Sequence, residues 1–403
     1  MNILFLTITR ILDVEERELY QDLMREFRNR GHIVYIVSPR ERRYHESTEF
    51  IEIARVHILG VKTLNLQKTN IIEKGIGTLL IERQFKAAIK NNISDVSFDL
   101  ILYSTPPITF PNVIKHLKKA YPQARTYLLL KDIFPQNAVD LGMLSKTGLK
   151  GLLYKFFRNK EKKLYALSDF IGCMSPANVK YILEHNPEVP QDKVEIAPNS
   201  IDLCNQSKVS RDSVLKKYGL PSDCPIFIYG GNLGKPQGIP FLIDCLDANK
   251  DRQDCHFLII GDGVEYDKIV SWHTQMKPSN VTLIRRLPKL DFEQVTGASD
   301  VGLVFLDHRF TIPNYPSRSL SYLVNKLPLI VASDVASDMG PIAESNGFGY
   351  WCESNSVDGF TSVLNKMLNS DIEAMGERGF EFLCKNYLVS STYEAIAKHF
   401  KSE

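Results

Sequence analysis

Two rhythms of apolar residues alternate along the chain. Short β-branched or leucine-rich runs occur at Ile3–Thr9, Ile33–Val37, Phe98–Tyr103, Thr126–Leu130 and Phe170–Met174. Between them lie segments of helical spacing: Glu15–Arg30 with Leu19, Leu23 and Phe27 on one face, a helix toward Lys119, and one opened by Ser175-Pro176 and running through Leu183. Gly31 ends the first helix and Ser38-Pro39 ends the second strand. Strands separated by helices imply parallel pairing through right-handed crossovers, hence a Rossmann-like sheet with helices on both faces.

The alternation pauses between about residues 199 and 224, where Asn199-Ser200-Ile201-Asp202 leads into the polar stretch Asn205–Asp212. It then restarts with strands Pro225–Tyr229, His256–Ile260, Val281–Ile284, Val301–Phe305 and Leu329–Ala332, a helix over Ile239–Leu246 and a terminal helix over Tyr387–Phe400. The chain has 403 residues, more than one hydrophobic core usually serves. The expected fold is therefore α/β, with two doubly wound Rossmann-like domains facing an interdomain cleft. Residues 1–202 form the first domain, 203–385 the second, and 386–403 a helix packing back toward the first.

Composition narrows the class. A net charge of +2 gives no global field for nucleic acid. The seven cysteines, Cys173, Cys204, Cys224, Cys245, Cys255, Cys352 and Cys384, contain no Cys-x-x-Cys and read as free buried thiols in a reducing compartment. The apolar start Met1–Leu6 has no basic region before it and reads as a buried strand rather than a leader. No run approaches the length of a membrane span. No Asp-x-Asp and no His/Cys cluster at metal-ligand spacing occurs, so no metal and no cofactor is expected.

The strongest chemical signal is Tyr229-Gly230-Gly231-Asn232-Leu233-Gly234-Lys235-Pro236-Gln237-Gly238, between a strand and a helix. Glycines there let the backbone approach an anion, the helix start offers N–H groups, and Lys235 adds a charge; a tight turn without ligand has the same pattern. Further along come Ile259-Ile260-Gly261-Asp262-Gly263, Ala298–Leu303, and Tyr315-Pro316-Ser317-Arg318-Ser319-Leu320-Ser321-Tyr322-Leu323 followed by Lys326–Ile330. In the first half stand Lys131-Asp132-Ile133-Phe134-Pro135-Gln136, continuing to Leu144, and Ala197-Pro198-Asn199-Ser200-Ile201-Asp202. Asp132 falls at the carboxyl end of a strand, where open α/β sheets place ligands. A carboxylate there can orient a hydroxyl or take its proton, or it can serve as a helix cap or ion-pair partner.

In their order and over nearly the whole chain, these segments resemble glycosyltransferase family 4, a GT-B family, and within it members that build bacterial capsule, O-antigen or colanic-acid type polysaccharides. The resemblance implies a retaining, metal-independent transfer of a sugar from a nucleotide donor, with a UDP-sugar expected, to a membrane-linked glycan or polyprenyl-diphosphate acceptor at the inner face of the cell membrane. It assigns the donor to Gly231, Asn232, Lys235, Gln237, Gly238, Gly261, Gly263, Leu287, Ser317, Arg318, Ser319, Leu320 and Ser321. The backbone at Ser319 and Leu320 is expected to meet the pyrophosphate, which Arg318 neutralises as negative charge grows on the leaving group. Leu287 lies in the turn expected at the nucleobase. The acceptor falls to Thr9, Arg10, Ser104 and Thr105, with Asp132 as the catalytic candidate; Arg10 can reach a phosphate or sit idle on the surface.

The chain departs from the family at Asn232, where many members have Arg, at Gln237 for Lys, and at Pro313 and Ser321, where the family's Glu-x7-Glu has its two carboxylates. The last two keep open a noncatalytic partner subunit of another transferase, and behind it a sugar-nucleotide epimerase. Lys146–Lys163 mixes six lysines and Arg158 with Leu152, Leu153, Tyr154, Phe156 and Phe157. It suits an anionic membrane surface, or a packed helix with a basic outer face.

Overall fold

A computed structural model describes residues 1–66, 71–203 and 209–400. The chain divides into two compact units: Met1–Asp202 together with the segment that starts at Val389, and Leu203–Leu388.

The first unit carries strands β1 (Asn2–Leu6), β2 (Ile33–Glu41), β3 (Glu49–Ile53), β4 (Val56–Thr63), β5 (Leu100–Ser104), β6 (Arg125–Leu130), β7 (Phe170–Cys173) and β8 (Val194–Ile196). Its helices are α1 (Leu19–Asn29), α2 (Ile71–Asn92), α3 (Pro111–Ala120), α4 (Gln136–Asp140), α5 (Gly148–Leu167) and α6 (Pro176–His185). Among the described residues the sheet runs β3-β4-β2-β1-β5-β6-β7-β8. Every neighbour pair is parallel except β3–β4, with Ile51 opposite Ile58. The strands separated by helices pair in parallel as expected, and this antiparallel hairpin, with no helix between its strands, adds to them. Strand β3, Glu-Phe-Ile-Glu-Ile, is the largely exposed edge strand with two charged residues, and β4 is mostly buried between it and β2.

The second unit carries α7 (Arg211–Tyr218), β9 (Ile226–Asn232), α8 (Ile239–Ala248), β10 (His256–Asp262), α9 (Tyr266–Met276), β11 (Val281–Ile284), α10 (Lys289–Gly297), β12 (Val301–Phe305), α11 (Arg318–Val324), β13 (Leu329–Ser333), α12 (Met339–Ser345), β14 (Gly349–Glu353), α13 (Val357–Leu368) and α14 (Ile372–Asn386). The sheet order is β11-β10-β9-β12-β13-β14, parallel throughout. The centre of this unit is apolar, with Phe227, Tyr229, Phe257, Ile259, Leu303, Phe305, Ile330 and Phe360 without solvent exposure.

Several boundaries shift. The first strand stops at Leu6, and α1 begins at Leu19 rather than Glu15. The terminal helix expected over Tyr387–Phe400 lies within that range but is shorter at both ends. Helix α14 ends at Asn386, and α15 (Val389–Ala397) starts where the Val389 N–H donates to the Ile201 carbonyl at 3.1 Å. Helix α15 then packs on α1: the Tyr393 hydroxyl meets His32 Nε2 at 2.9 Å, and its ring lies edge-on to Phe27. The six described cysteines are unpaired, four of them buried, with Cys224 and Cys384 half-buried; Cys204 lies outside the described residues.

Both sheets have a point where the winding direction reverses. In the first it falls between β1 and β5, in the second between β9 and β12. Strands β9 and β12 pair only through Val301 with Phe227 and Gly302 with Ile228, so beyond Ile228 they part toward their carboxyl ends. Such switch points are where open α/β sheets bind ligands.

Gly376 of α14 tests how tightly the second unit is packed. A β-carbon there would stand 1.9 Å from the Lys326 carbonyl oxygen, a backbone atom in a left-handed turn that cannot swing aside. Alanine would favour the helix by about 1 kcal/mol, and the overlap outweighs it at about 1–3 kcal/mol. Gly376→Ala should therefore lower the thermal midpoint of the second unit's unfolding, measured by calorimetry.

Candidate functional site

The carboxyl edge of the second sheet brings Gly231 and Arg318 together. Gly231, at the end of β9, has φ +131°, open only to glycine, and a β-carbon there would stand 3.4 Å from the Arg318 guanidinium carbon. That carbon sits 4.7 Å from the centre of the Tyr229 ring. Tyr229 is fixed by donating its hydroxyl to the Asn232 carbonyl at 2.7 Å. Tyr322, one turn into α11, accepts the Gly230 N–H at 2.8 Å. Arg318 Nη1 is buried and has no hydrogen-bond partner, and no carboxylate lies within ion-pair distance of the guanidinium among the described residues. A buried, unpaired guanidinium N–H costs several times more than a neutral donor left open. Its natural complement is an anion. Lys235 is exposed in the same turn, four residues beyond Gly231.

The other donor candidates divide. Gln237 Oε1 accepts from Asn232 Nδ2 at 3.0 Å and from the Gly234 N–H at 3.2 Å, so these two side chains shape the turn. Gly261 and Gly263 act by close approach, since β-carbons there would meet the Gly231 and Leu233 carbonyl oxygens at 2.2 and 2.3 Å. Gly238 opens α8 with its α-carbon face against Asp307. Ser317 is exposed and Ser321 half-buried on α11. Ser319 and Leu320, expected to meet the pyrophosphate, open α11 after a tight turn. Their N–H groups donate to the Pro316 and Ser317 carbonyls at 3.3 and 3.1 Å, and Ser319 Oγ to Pro316 at 2.8 Å, so the tight turn into α11 has already used these donors. Leu287 is half-buried in the turn after β11.

Two residues before Leu287 comes a pair that the motifs did not single out. Arg285 and Arg286 both bind Asp262, the Arg285 contact at 3.2 Å, and Arg285 lies over the Tyr266 ring. Asp262 pairs in register with Asn232, so this cationic cluster continues the edge that holds Arg318. Its signal in the sequence was position alone: two arginines directly after a strand.

In the first unit, Ser104 and Thr105, expected at the acceptor, are buried. Ser104 Oγ donates to Thr7 Oγ1 at 3.4 Å, across the β1–β5 switch point. Thr105 Oγ1 accepts the N–H groups of Lys131 and Asp132 at 2.9 and 3.2 Å, which fixes the end of β6. Thr9 is half-buried, its N–H bound to Thr7 Oγ1. Arg10 is engaged by Glu46 and stacks over Tyr44, 36 and 34 residues downstream.

Asp132 neither caps a helix nor pairs with a cation among the described residues; its Oδ1 accepts from Asn137 Nδ2 at 2.7 Å. Burial pushes its carboxyl up to about 6, against the hydrogen bonds that favour the anion. Beside it stand two groups to which the motifs gave no role, Tyr20 and the motif's own Lys131. Tyr20, on α1, has its hydroxyl near Ser104 and the Asp132 charge and is pushed up to about 12 by burial. Lys131 donates to the Ala197 carbonyl at 2.9 Å, and burial lowers its amine to about 7. Among the described residues no three His, Cys, Asp or Glu side chains converge to hold a metal ion.

Helix α5 buries Gly151, Glu161, Leu164 and Tyr165. Its first three turns expose Leu149 (88%), Leu152 (65%), Leu153 and Phe156, beside exposed Lys146, Lys150 and Lys155. Farther along, Lys160 and Lys162 pair with Glu82 and Glu188, so the basic character is freest where the apolar side chains are. No helix among the described residues is long and apolar enough to cross a membrane.

Two parallel-sheet Rossmann-like domains of these strand orders make this the α/β fold of the GT-B glycosyltransferase structures. No family model matches the chain. In sequence it is similar to WbjE of Pseudomonas aeruginosa, a probable glycosyltransferase, at 21% identity over 335 residues, 82% of this chain and 80% of that protein. In structure it is similar to sucrose-phosphate synthase from Thermosynechococcus elongatus, with a TM-score of 0.77 and 13% identity over 99% of this chain and 98% of the other. HepE of Anabaena, solved in complex with UDP, gives a TM-score of 0.69 and 14% identity over 99% of each chain.

The raised Asp132 carboxyl has a measurable consequence. The folded chain holds this proton more tightly than an unfolded chain, where the group titrates near its ordinary 3.8. Its contribution to stability is thus complete below about pH 4 and lost as the pH rises through about 6. Asp132→Asn has no such loss. From pH 4 to pH 8 the variant should gain about 1–3 kcal/mol on the wild type, read from denaturant unfolding at the two pH values.

Proposed function

We propose that the chain is a retaining glycosyltransferase. It moves a sugar from a UDP-linked donor to a membrane-linked glycan or polyprenyl-diphosphate acceptor, at the cytoplasmic face of a bacterial membrane and in surface polysaccharide biosynthesis. The observation that carries this reading is the unpartnered Arg318 Nη1, held against Gly231 at the switch point of the second sheet. The similarity to a probable glycosyltransferase and to a fold mate that binds UDP supports it.

In this reading the diphosphate lies along the Gly231 turn, with Arg318 as its main counter-charge and Lys235 within the same turn. Asn232, Gln237, Gly238, Gly261 and Gly263 shape that turn, and Ser317 and Ser321 border it. Leu287, with Arg285 and Arg286 before it, marks the nucleoside end. The bond from the anomeric carbon to the donor phosphate oxygen breaks, and its electron pair leaves with UDP. Arg318 offsets the charge that grows there, an effect largest where water is excluded. The acceptor oxygen bonds to the same carbon on the same face. Asp132, largely ionised at neutral pH and fixed by Asn137, orients the acceptor hydroxyl and draws off its proton. Thr9, with the Thr7–Ser104–Thr105 network beneath, frames the acceptor. The exposed apolar and basic start of α5 would rest on an anionic bilayer that presents a lipid-linked acceptor. Among the described residues of the second unit the exposed large apolar side chains are Leu203, Val209, Val264, Met276, Leu290 and Val335, from several elements. That scatter favours an enzyme over a noncatalytic partner subunit.

Titration calorimetry with UDP tests the seat. Wild type should bind, and Arg318→Ala should bind about 10- to 100-fold more weakly, the worth of a charge-assisted contact. Asp132→Asn should keep UDP affinity while its turnover falls about 100-fold or more. A wild type that ignores UDP would overturn the reading. For the membrane, the triple change Leu149→Ser, Leu152→Ser and Phe156→Ser should abolish co-sedimentation with phosphatidylglycerol vesicles while leaving UDP binding intact.

A further inference from the structure

Arg318 stands at the end of a long connection from β12, Leu306–Ser317, and something must hold that connection in register. Asp334, one residue beyond β13, is buried with only 2% exposure. Its Oδ1 accepts the N–H groups of Ala336 and Ser337 at 2.9 and 2.8 Å, and its Oδ2 accepts the Ser337 hydroxyl at 3.0 Å. With its proton committed to Asp334, Ser337 Oγ turns a lone pair outward and accepts the Asn314 N–H at 2.9 Å. Asn314 begins Asn314-Tyr315-Pro316-Ser317-Arg318. The next residue is tied as well: the Tyr315 hydroxyl accepts the Tyr387 hydroxyl at 2.6 Å. Two pins therefore fix the segment within the five residues that end at the guanidinium. The turn at Pro316, closed by Ser319 Oγ, carries that placement into α11.

A carboxylate used only to close its own turn would not need Ser337 Oγ directed at another segment. Burial without a cation nearby raises the Asp334 carboxyl to about 6, so at neutral pH it is the anion that these donors hold. An anion with three donors orients the serine hydroxyl in one direction only, which a neutral acceptor does less firmly.

We infer that Asp334 and Ser337 are positioning residues for the donor seat: the buried carboxylate fixes the Ser337 hydroxyl, the hydroxyl fixes the Asn314 backbone, and the fixed backbone sets the Arg318 guanidinium against Gly231. This rests on the reading of that seat as the diphosphate site. The brace touches no ligand itself. It acts through the accuracy of one cation, where misplacement by a fraction of an ångström weakens every contact the cation makes.

A double-mutant cycle separates this from plain stability. UDP affinity is measured by calorimetry or by ligand-observed NMR, carried to millimolar UDP so that weak variants stay measurable. The proteins are wild type, Ser337→Ala, Ser337→Thr, Arg318→Ala and the double variant Ser337→Ala with Arg318→Ala. Ser337→Ala should weaken UDP about tenfold in the wild-type background and change it less than about twofold once Arg318 is gone. Ser337→Thr, which keeps the hydroxyl, should restore at least half of the lost binding free energy. Thermal midpoints should fall by the same amount in both backgrounds, since that loss belongs to the buried hydrogen bonds alone. Equal weakening of UDP in both backgrounds, or none in either, overturns the brace while leaving the seat standing. Absence of UDP binding by the wild type overturns both.

Discussion

The sharpest unmet electrostatic demand in the second unit is the half-buried Arg318 guanidinium, whose Nη1 is shut off from water without a counter-charge among the described residues. Arg318 lies over the Tyr229 ring, and its Nη1 finds no acceptor among the described residues. Ordinary folded chains satisfy such donors, because leaving one open costs stability. Here the surroundings prevent relief. Gly231 offers no side chain, Asn232 and Gln237 bind each other, and the nearest turn N–H groups are themselves donors. The unmet hydrogen bond survives because the sheet order sets β9 beside β12 and lets them part beyond Ile228, leaving Arg318 where the strands separate.

The first unit solves a different electrostatic problem. Asp132 receives hydrogen bonds from Asn137 and the Ile133 N–H, yet burial outweighs them and raises its carboxyl to about 6. Its neighbours Tyr20 and Lys131 are shifted by the same burial, in the directions that favour their neutral forms. One unit thus keeps a permanent cation waiting for an anion, and the other keeps a carboxyl group able to exchange a proton.

Much of this was legible in the sequence because the informative residues are local. The strand–glycine–helix turn at Gly230–Gly238 and the arginine after Pro316-Ser317 mark themselves, and the paired rhythm of strands and helices gives two Rossmann-like sheets. What escaped reading depends on distant partners. Arg10 seemed free because Glu46 and Tyr44, which engage it, are more than thirty residues away and sit past a strand. Ser104 and Thr105 have the composition of a ligand loop, and only the three-dimensional packing shows their hydroxyls spent on Thr7 and on the backbone of β6. The same holds for the N–H groups of Ser319 and Leu320: a helix start implies open donors, and a tight preceding turn closes them. Helix α2 was missed because Gly75 and Gly77 interrupt its opening turns.

The return of α15 to α1 makes the first unit discontinuous in the chain. Tyr393, Ile396 and Ala397 belong to the same apolar cluster as Phe5, Phe27 and Leu102, yet they are encoded after the whole of the second unit. During synthesis the α1 surface around Phe27 therefore waits, uncovered, while all residues through Leu388 are made. A ribosome that stalls before Val389, or a message cut short there, would release a first unit with an apolar flank open to solvent. Quality-control proteases and chaperones would see such a chain as unfinished, even though every residue of its opening strands and of the Asp132 region is already in place.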